Sequence, residues 1–144
     1  MNYLKFLSLI LTLTFAACQG QNKSKTISTD QSISKVEVID FYGTHRCVTC
    51  EAIEANAKYT VETYYPDEKK KGMVVFKTVN VDKGENYKMA ERFEASGTAL
   101  FLNVIKDGME THIDLTNFAF SKGKEKDVFS KELKAKIDIE LNKL

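Results

Sequence analysis

Two cysteines three positions apart, Cys47 and Cys50, stand where one hydrophobic pattern gives way to another. Upstream, Lys35-Val36-Glu37-Val38-Ile39-Asp40-Phe41-Tyr42 alternates and then turns apolar, the pattern of a largely buried strand. Gly43-Thr44-His45-Arg46 breaks it. Downstream, apolar residues fall at Cys50, Ile53, Ala57, Val61 and Tyr64, in the three- and four-residue steps of a helix. A pair at i and i+3 across that junction puts Cys47 at a helix N-terminus. Unpaired backbone N–H groups and the positive end of the dipole there favour its thiolate. His45 and Arg46, immediately before it, are expected to favour the thiolate as well. Cys50, one turn in, is expected to be the more buried. The residues thus suit a nucleophile at Cys47 and a resolving thiol at Cys50. A static cross-link over so short a loop would add little stability.

The remaining pattern surrounds that junction with a single domain. Pro66 ends the first helix, and Lys69-Lys70-Lys71-Gly72 is a solvated turn. Met73 to Val81 is β-branched and apolar, the composition of a central strand. Glu85 to Glu94 is a short polar helix with Met89, Ala90 and Phe93 on one face. Leu100 to Ile105 is a strand, and Asp107-Gly108 is a strong hairpin signal into Glu110 to Leu115. Asp127 to Leu144 closes the chain as an amphipathic helix with Val128, Leu133, Ile137 and Leu141 inward. A strand–helix–strand start implies two parallel strands joined by a right-handed crossover, and the hairpin adds antiparallel strands. The result is one mixed sheet with helices on its faces.

The first residues bear on the compartment. After Lys5, the run from Phe6 to Ala17 is almost continuously apolar. As a helix it would be roughly 18 Å long, too short for a hydrocarbon core about 30 Å thick. A basic start, a short apolar run and small residues at its end read as a secretory signal over residues 1–17. The run closes in Phe15-Ala16-Ala17-Cys18, which resembles a bacterial lipoprotein processing site and marks Cys18 for lipidation. Gln19 to Ser34 carries only Ile27 and Ile33 as large apolar residues, so 18–34 reads as a tether and 35–144 as the domain. An exported chain, held through lipid on Cys18 at the periplasmic or cell-surface side of a bacterial membrane, lives where the Cys47–Cys50 pair can cycle between dithiol and disulfide. The whole chain carries 21 Lys and Arg against 20 Asp and Glu. With no basic field and no Arg-rich aromatic stripe, nucleic acid is not an expected partner.

Strand, Phe41-Tyr42-Gly43, CxxC and helix together resemble thioredoxin across about 35–144. Asp40-Phe41-Tyr42-Gly43 is similar to that family's Asp-Phe-Trp-Ala strand end, with one more residue here before the CxxC. Thr78-Val79-Asn80-Val81-Asp82 resembles its Lys-Leu-Asn-Ile-Asp strand, and Lys106-Asp107-Gly108 its Lys-Asn-Gly hairpin. The resemblance implies an α/β, thioredoxin-like fold, a mixed central sheet of about four strands flanked by three helices. It also implies a buried Asp that takes the proton of the resolving Cys, making Asp40 the candidate proton acceptor. The family's facing cis-proline loop corresponds to Ser96-Gly97-Thr98-Ala99-Leu100, with Thr98 and Ala99 as the substrate loop and Ala99 where Pro would stand. A non-proline cis bond costs about 3–4 kcal/mol, so a trans bond is expected there. The lysine that partners the buried Asp in the family is replaced by Thr78, and Lys77 should face the other side of the sheet.

The residues 43–56, 76–82 and 114–120 resemble more narrowly a bacterial lipoprotein family named as nitrophenyl compound nitroreductase subunits of the ArsF type. That resemblance implies one component of a larger reductase system. Nothing in these residues holds a flavin, and no cofactor is expected.

Three readings follow. One is a thiol–disulfide oxidoreductase acting on a protein disulfide or dithiol partner. A second is a soft-metal or metalloid site for copper or arsenite, built from Cys47 and Cys50 with His45 as third ligand. A third is an interaction module docking through Thr116 to Phe120, although core packing under a long loop is the favoured reading of that stretch. Zinc lacks its usual ligand spacing here, and His112 is expected at the surface.

Overall fold

The computed structural model describes residues 34–144. The signal, Cys18 and all but the last residue of the tether lie outside the described residues. Strand β1 (Lys35–Tyr42) is buried at every position except its two ends, because it has a neighbour on each side and helices on both faces. Helix α1 (Val48–Tyr64) then crosses over to β2 (Val74–Asn80), which pairs with β1 in parallel. Pro66 ends α1 and also opens a short α2 (Pro66–Lys70), since its fixed φ suits a first helical position and its missing N–H costs nothing there.

A 3-10 turn, Gly84–Asn86, leads into α3 (Tyr87–Arg92). Strands β3 (Ala99–Lys106) and β4 (Met109–Asp114) follow as an antiparallel hairpin. Asp107 and Gly108 take φ of 52° and 79°, the positive values that a two-residue turn matched to strand twist requires. Helix α4 (Thr116–Lys122) and helix α5 (Lys126–Leu141) complete the chain. The strand order is β2-β1-β3-β4, a four-stranded mixed sheet. Among the described residues, no helix is long and apolar enough to cross a membrane.

The fold class is therefore the expected one, with two short helices, α2 and α4, added to the three read from periodicity. Three local expectations change. β2 is an edge strand of the described sheet rather than a central one. It is apolar because Val74 packs into one core layer and Val79 into the other. In α5 the inward stripe is Phe129, Leu133 and Ile137, while Val128 stays 37% exposed. The stretch from Thr116 is helical rather than a loop, with Ala119 buried and Phe118 lying 5.0 Å from Phe129 between ring centroids, while Phe120 stays 45% exposed.

Two apolar layers flank the sheet. Val36, Val38, Leu100 and Leu102 pack beneath α1 and α5 against Ile53, Ala57, Val61, Phe129, Leu133 and Ile137. On the opposite face Ile39, Phe41, Val79 and Phe101 pack with Ala90 and Phe93 around α3. Phe41, Phe93 and Phe101 form a triangle of rings with centroids 5.2–5.7 Å apart. His112 is half-buried, stacked 3.8 Å from Phe93, rather than a plain surface residue.

The turn after α4 is held against α1 at close range. Asn56 Nδ2 donates to the Gly123 carbonyl at 2.8 Å within the core. A Cβ at Gly123 would lie 2.8 Å from the Ala119 carbonyl oxygen, 2.9 Å from Ile53 Cγ1 and 3.3 Å from Thr49 Cγ2. Gly123→Ala is therefore expected to destabilise the fold by about 1–3 kcal/mol, as overpacking against backbone does. Chemical denaturation checks this; an unchanged midpoint would show that the turn yields freely.

Candidate functional site

Gly43 to Arg46 leaves β1 and is tied to the end of β2 before α1 begins. The Thr44 N–H donates to Asp82 Oδ2 at 2.6 Å, and Asn80 Nδ2 donates to Thr44 Oγ1 at 3.3 Å. Asn80 in turn accepts at Oδ1 from the Asp82 N–H at 2.9 Å. The Thr44 contacts hold the Asp82 carboxyl below the ordinary carboxylate range.

Cys47 is the N-cap of α1, with extended backbone (φ −90°, ψ 160°). Its sulfur accepts the Cys50 N–H at 3.1 Å, so it fills the place that a Ser or Asp oxygen takes at other helix starts. Cys47 is exposed, Cys50 is 7% exposed, and the two are joined in a disulfide with Cα atoms 5.1 Å apart. The same sulfur that would carry negative charge in the reduced state already receives a helix-start N–H.

Asp40 lies one strand residue before Phe41 and is fully buried. Its neighbours across the sheet are Thr78 on β2 and Leu100 on β3. Lys77 is on the other face, where its ammonium donates to buried Glu37 at 2.7 Å. The cation that meets Asp40 comes from the loop. Arg46 Nη2 donates to Asp40 Oδ2 at 3.2 Å and to the Cys50 carbonyl at 3.1 Å, while Nη1 pairs with Glu54 Oε2. The guanidinium also lies 4.5 Å from the centroid of the Tyr42 ring.

Arg46 is thus engaged on the Cys50 side of the pair, with Asp40 and Glu54. His45 is exposed in the loop. Burial pushes the Asp40 carboxyl up to about 7, against the lowering pull of Arg46 and with a smaller upward push from Glu54. Asp40 Oδ1 and Arg46 Nε are buried with no hydrogen-bond partner among the described residues.

The sequence points to Cys47, Cys50, Asp40 and Arg46, and the structure gathers them where β1 hands over to α1. It also brings in Tyr42 and Glu54. The available signal for Glu54 was spacing: it follows Cys50 by four residues, one helical turn, on the face that carries Cys50. Ala99 opens β3 opposite Phe41, at the same end of the sheet, and the bond before it is trans, as are all peptide bonds among the described residues. Cys47, Cys50 and His45 are not gathered into a metal-holding group. Among the described residues no cluster of three or more His, Cys, Asp and Glu side chains has that arrangement.

The sequence matches no protein-family model and no curated protein. Among solved structures the chain is similar to Fasciola hepatica thioredoxin, at 19% identity over 76% of this chain and 86% of that one, with a TM-score of 0.43. It is similar to oxidized mitochondrial thioredoxin 3 of Saccharomyces cerevisiae, at 26% identity over 63% and 77%, with a TM-score of 0.41. A malarial protein is similar at 17% identity over 61% and 94%, with a TM-score of 0.39.

Burial of Asp40 carries a pH signature. The folded chain holds the Asp40 proton up to about pH 7, whereas an ordinary aspartate releases it near 3.8. Between those values the folded state binds the extra proton, so this group's contribution is full below the lower value and is lost as pH rises through the upper one. Asp40→Asn is expected to stabilise the oxidised protein at pH 8 by roughly 1–3 kcal/mol and to give no gain at pH 4. Denaturant melts at the two pH values check it. A loss at pH 8 would mean that the Arg46 pair outweighs burial.

Proposed function

We propose that this chain is a thiol–disulfide oxidoreductase of the thioredoxin-like kind, working through Cys47 and Cys50. The observation that carries the reading is an exposed sulfur at a helix N-cap joined to a buried one, with a buried carboxyl fastened to the same helical turn. In the reducing direction the Cys47 thiolate attacks a partner disulfide, forming a Cys47–partner bond and releasing one partner thiolate. Cys50 then attacks Cys47, the mixed disulfide breaks, and the second partner thiolate leaves. Two electrons pass from the protein dithiol to the partner. The Cys50 proton goes to the Asp40 carboxylate and onward to solvent, while the two thiolates take protons from water.

In this reading the protein works outside the cytoplasm, anchored by lipid on Cys18. The Phe15-Ala16-Ala17-Cys18 sequence after a short apolar run supports that, as does a reversible disulfide suited to an oxidising compartment. The likeness to ArsF-type subunits supports a further step, in which the dithiol serves a larger reductase system by passing electrons to a protein partner.

Two measurements test the proposal. Alkylation of the reduced protein at mildly acid pH should label Cys47 about tenfold or more ahead of Cys50, because only the N-cap thiol is exposed and favoured as thiolate. Equal labelling, or absence of dithiothreitol-driven insulin reduction that Cys47→Ser would abolish, overturns the assignment. Mass spectrometry of protein purified from membranes should show a diacylated or triacylated N-terminal Cys18. A lipid-free terminus downstream of it would overturn the anchor.

A further inference from the structure

Asp40 receives charge from few directions. Its strand neighbours are the uncharged Thr78 and Leu100, and Lys77 is committed to Glu37 on the opposite face. The α5 residues in this core layer are Phe129, Leu133 and Ile137, all apolar. Tyr42, on the same strand, lies beneath the Arg46 guanidinium. From α1 and the loop before it come Cys50, Glu54 and Arg46.

One guanidinium thus serves two carboxylates of different exposure. The Asp40 side chain is fully buried, and the Glu54 side chain is 30% exposed. In so enclosed a place each charge acts strongly on the other. Arg46 favours the Asp40 carboxylate, and Glu54 draws on the same positive charge while repelling a second negative one.

We propose that Arg46 and Glu54 are opposed positioning residues that set the ionisation of Asp40, with partly exposed Glu54 standing between solvent and a buried carboxyl. Arg46 also fixes the Asp40 carboxylate to the Cys50 carbonyl, so the helical turn bearing the buried thiol is held to the group whose charge is tuned. Coupling to thiol chemistry rests on the oxidoreductase reading; the charge assignment itself does not.

The test is a carboxyl-carbon NMR titration of Asp40 in the oxidised full-length chain, where neither Cys47 nor Cys50 titrates. Arg46→Gln is expected to raise the Asp40 midpoint by about one pH unit or more, and Glu54→Gln to lower it. Arg46→Lys keeps the charge and should restore most of the Arg46→Gln shift. Glu54→Gln is a nearly isosteric change at a partly exposed position, so its result stands even where Arg46→Gln fails to fold. A Glu54→Gln midpoint that rises or stays in place overturns the proposal, as does an Arg46→Gln midpoint that falls. With both midpoints moved as expected, the pH profile for resolving a Cys47 mixed disulfide in each variant should move with them. A profile that stays fixed overturns the coupling to Cys50 and counts against Asp40 as proton acceptor.

Discussion

The contact on which the rest of the site depends is the one between Arg46 and Asp40. A carboxyl in the middle of a sheet, covered by helices, costs several kcal/mol as a bare charge. Here the cost is shared between partial protonation and a guanidinium that reaches down from the loop above. The same guanidinium accepts a place on the Tyr42 ring and donates to the first turn of α1. Strand end, loop and helix start are held by one side chain. Because Arg46 immediately precedes the cysteine pair, that fastening also ties the first turn of the helix to the strand end.

The two core layers explain why the junction is rigid enough for this. Beneath α1, Ile53, Ala57 and Val61 press onto Val36, Val38 and Leu102, so the helix axis is held against β1 along its length. The α4–α5 turn closes on the first turns of α1 through Gly123, with Asn56 hydrogen-bonded to its carbonyl. Asn80 and Asp82, at the end of β2, hold the Thr44 backbone and side chain. A loop of four residues is thereby attached on both flanks, and the exposed sulfur has little freedom to wander.

A disulfide between an exposed N-cap sulfur and a buried one divides labour by accessibility. In the proposed reading the outer sulfur is the one that meets partners, and the Cys50 N–H it already receives is the contact that would favour its thiolate once reduced. The inner sulfur is buried, and the carbonyl of its residue is tied through Arg46 to a strand carboxyl whose proton affinity lies near neutrality. A carboxyl poised there can take up and release a proton at working pH, which an ordinary aspartate cannot.

What the sequence by itself determined is what short-range physics controls. The alternation of residues 35–42, the helical stripe from Cys50 to Val61 and the Asp107-Gly108 turn are local periodicities and backbone preferences, and each appears in the fold where the sequence placed it. The position of Cys47 at a helix start is legible for the same reason, and that placed the candidate chemistry. The tertiary structure alone decided what depends on distant neighbours. Whether Val128 or Phe129 turns inward follows from how α5 lies on α1, and β2 is an edge only because β1 pairs with β3. Thr78 leaves Asp40 without a lysine from the sheet, but only the folded loop shows that Arg46 takes that place and brings Glu54 with it. A charge pair of this kind depends on side chains meeting in three dimensions around an enclosed carboxyl. No periodicity along the chain encodes that meeting.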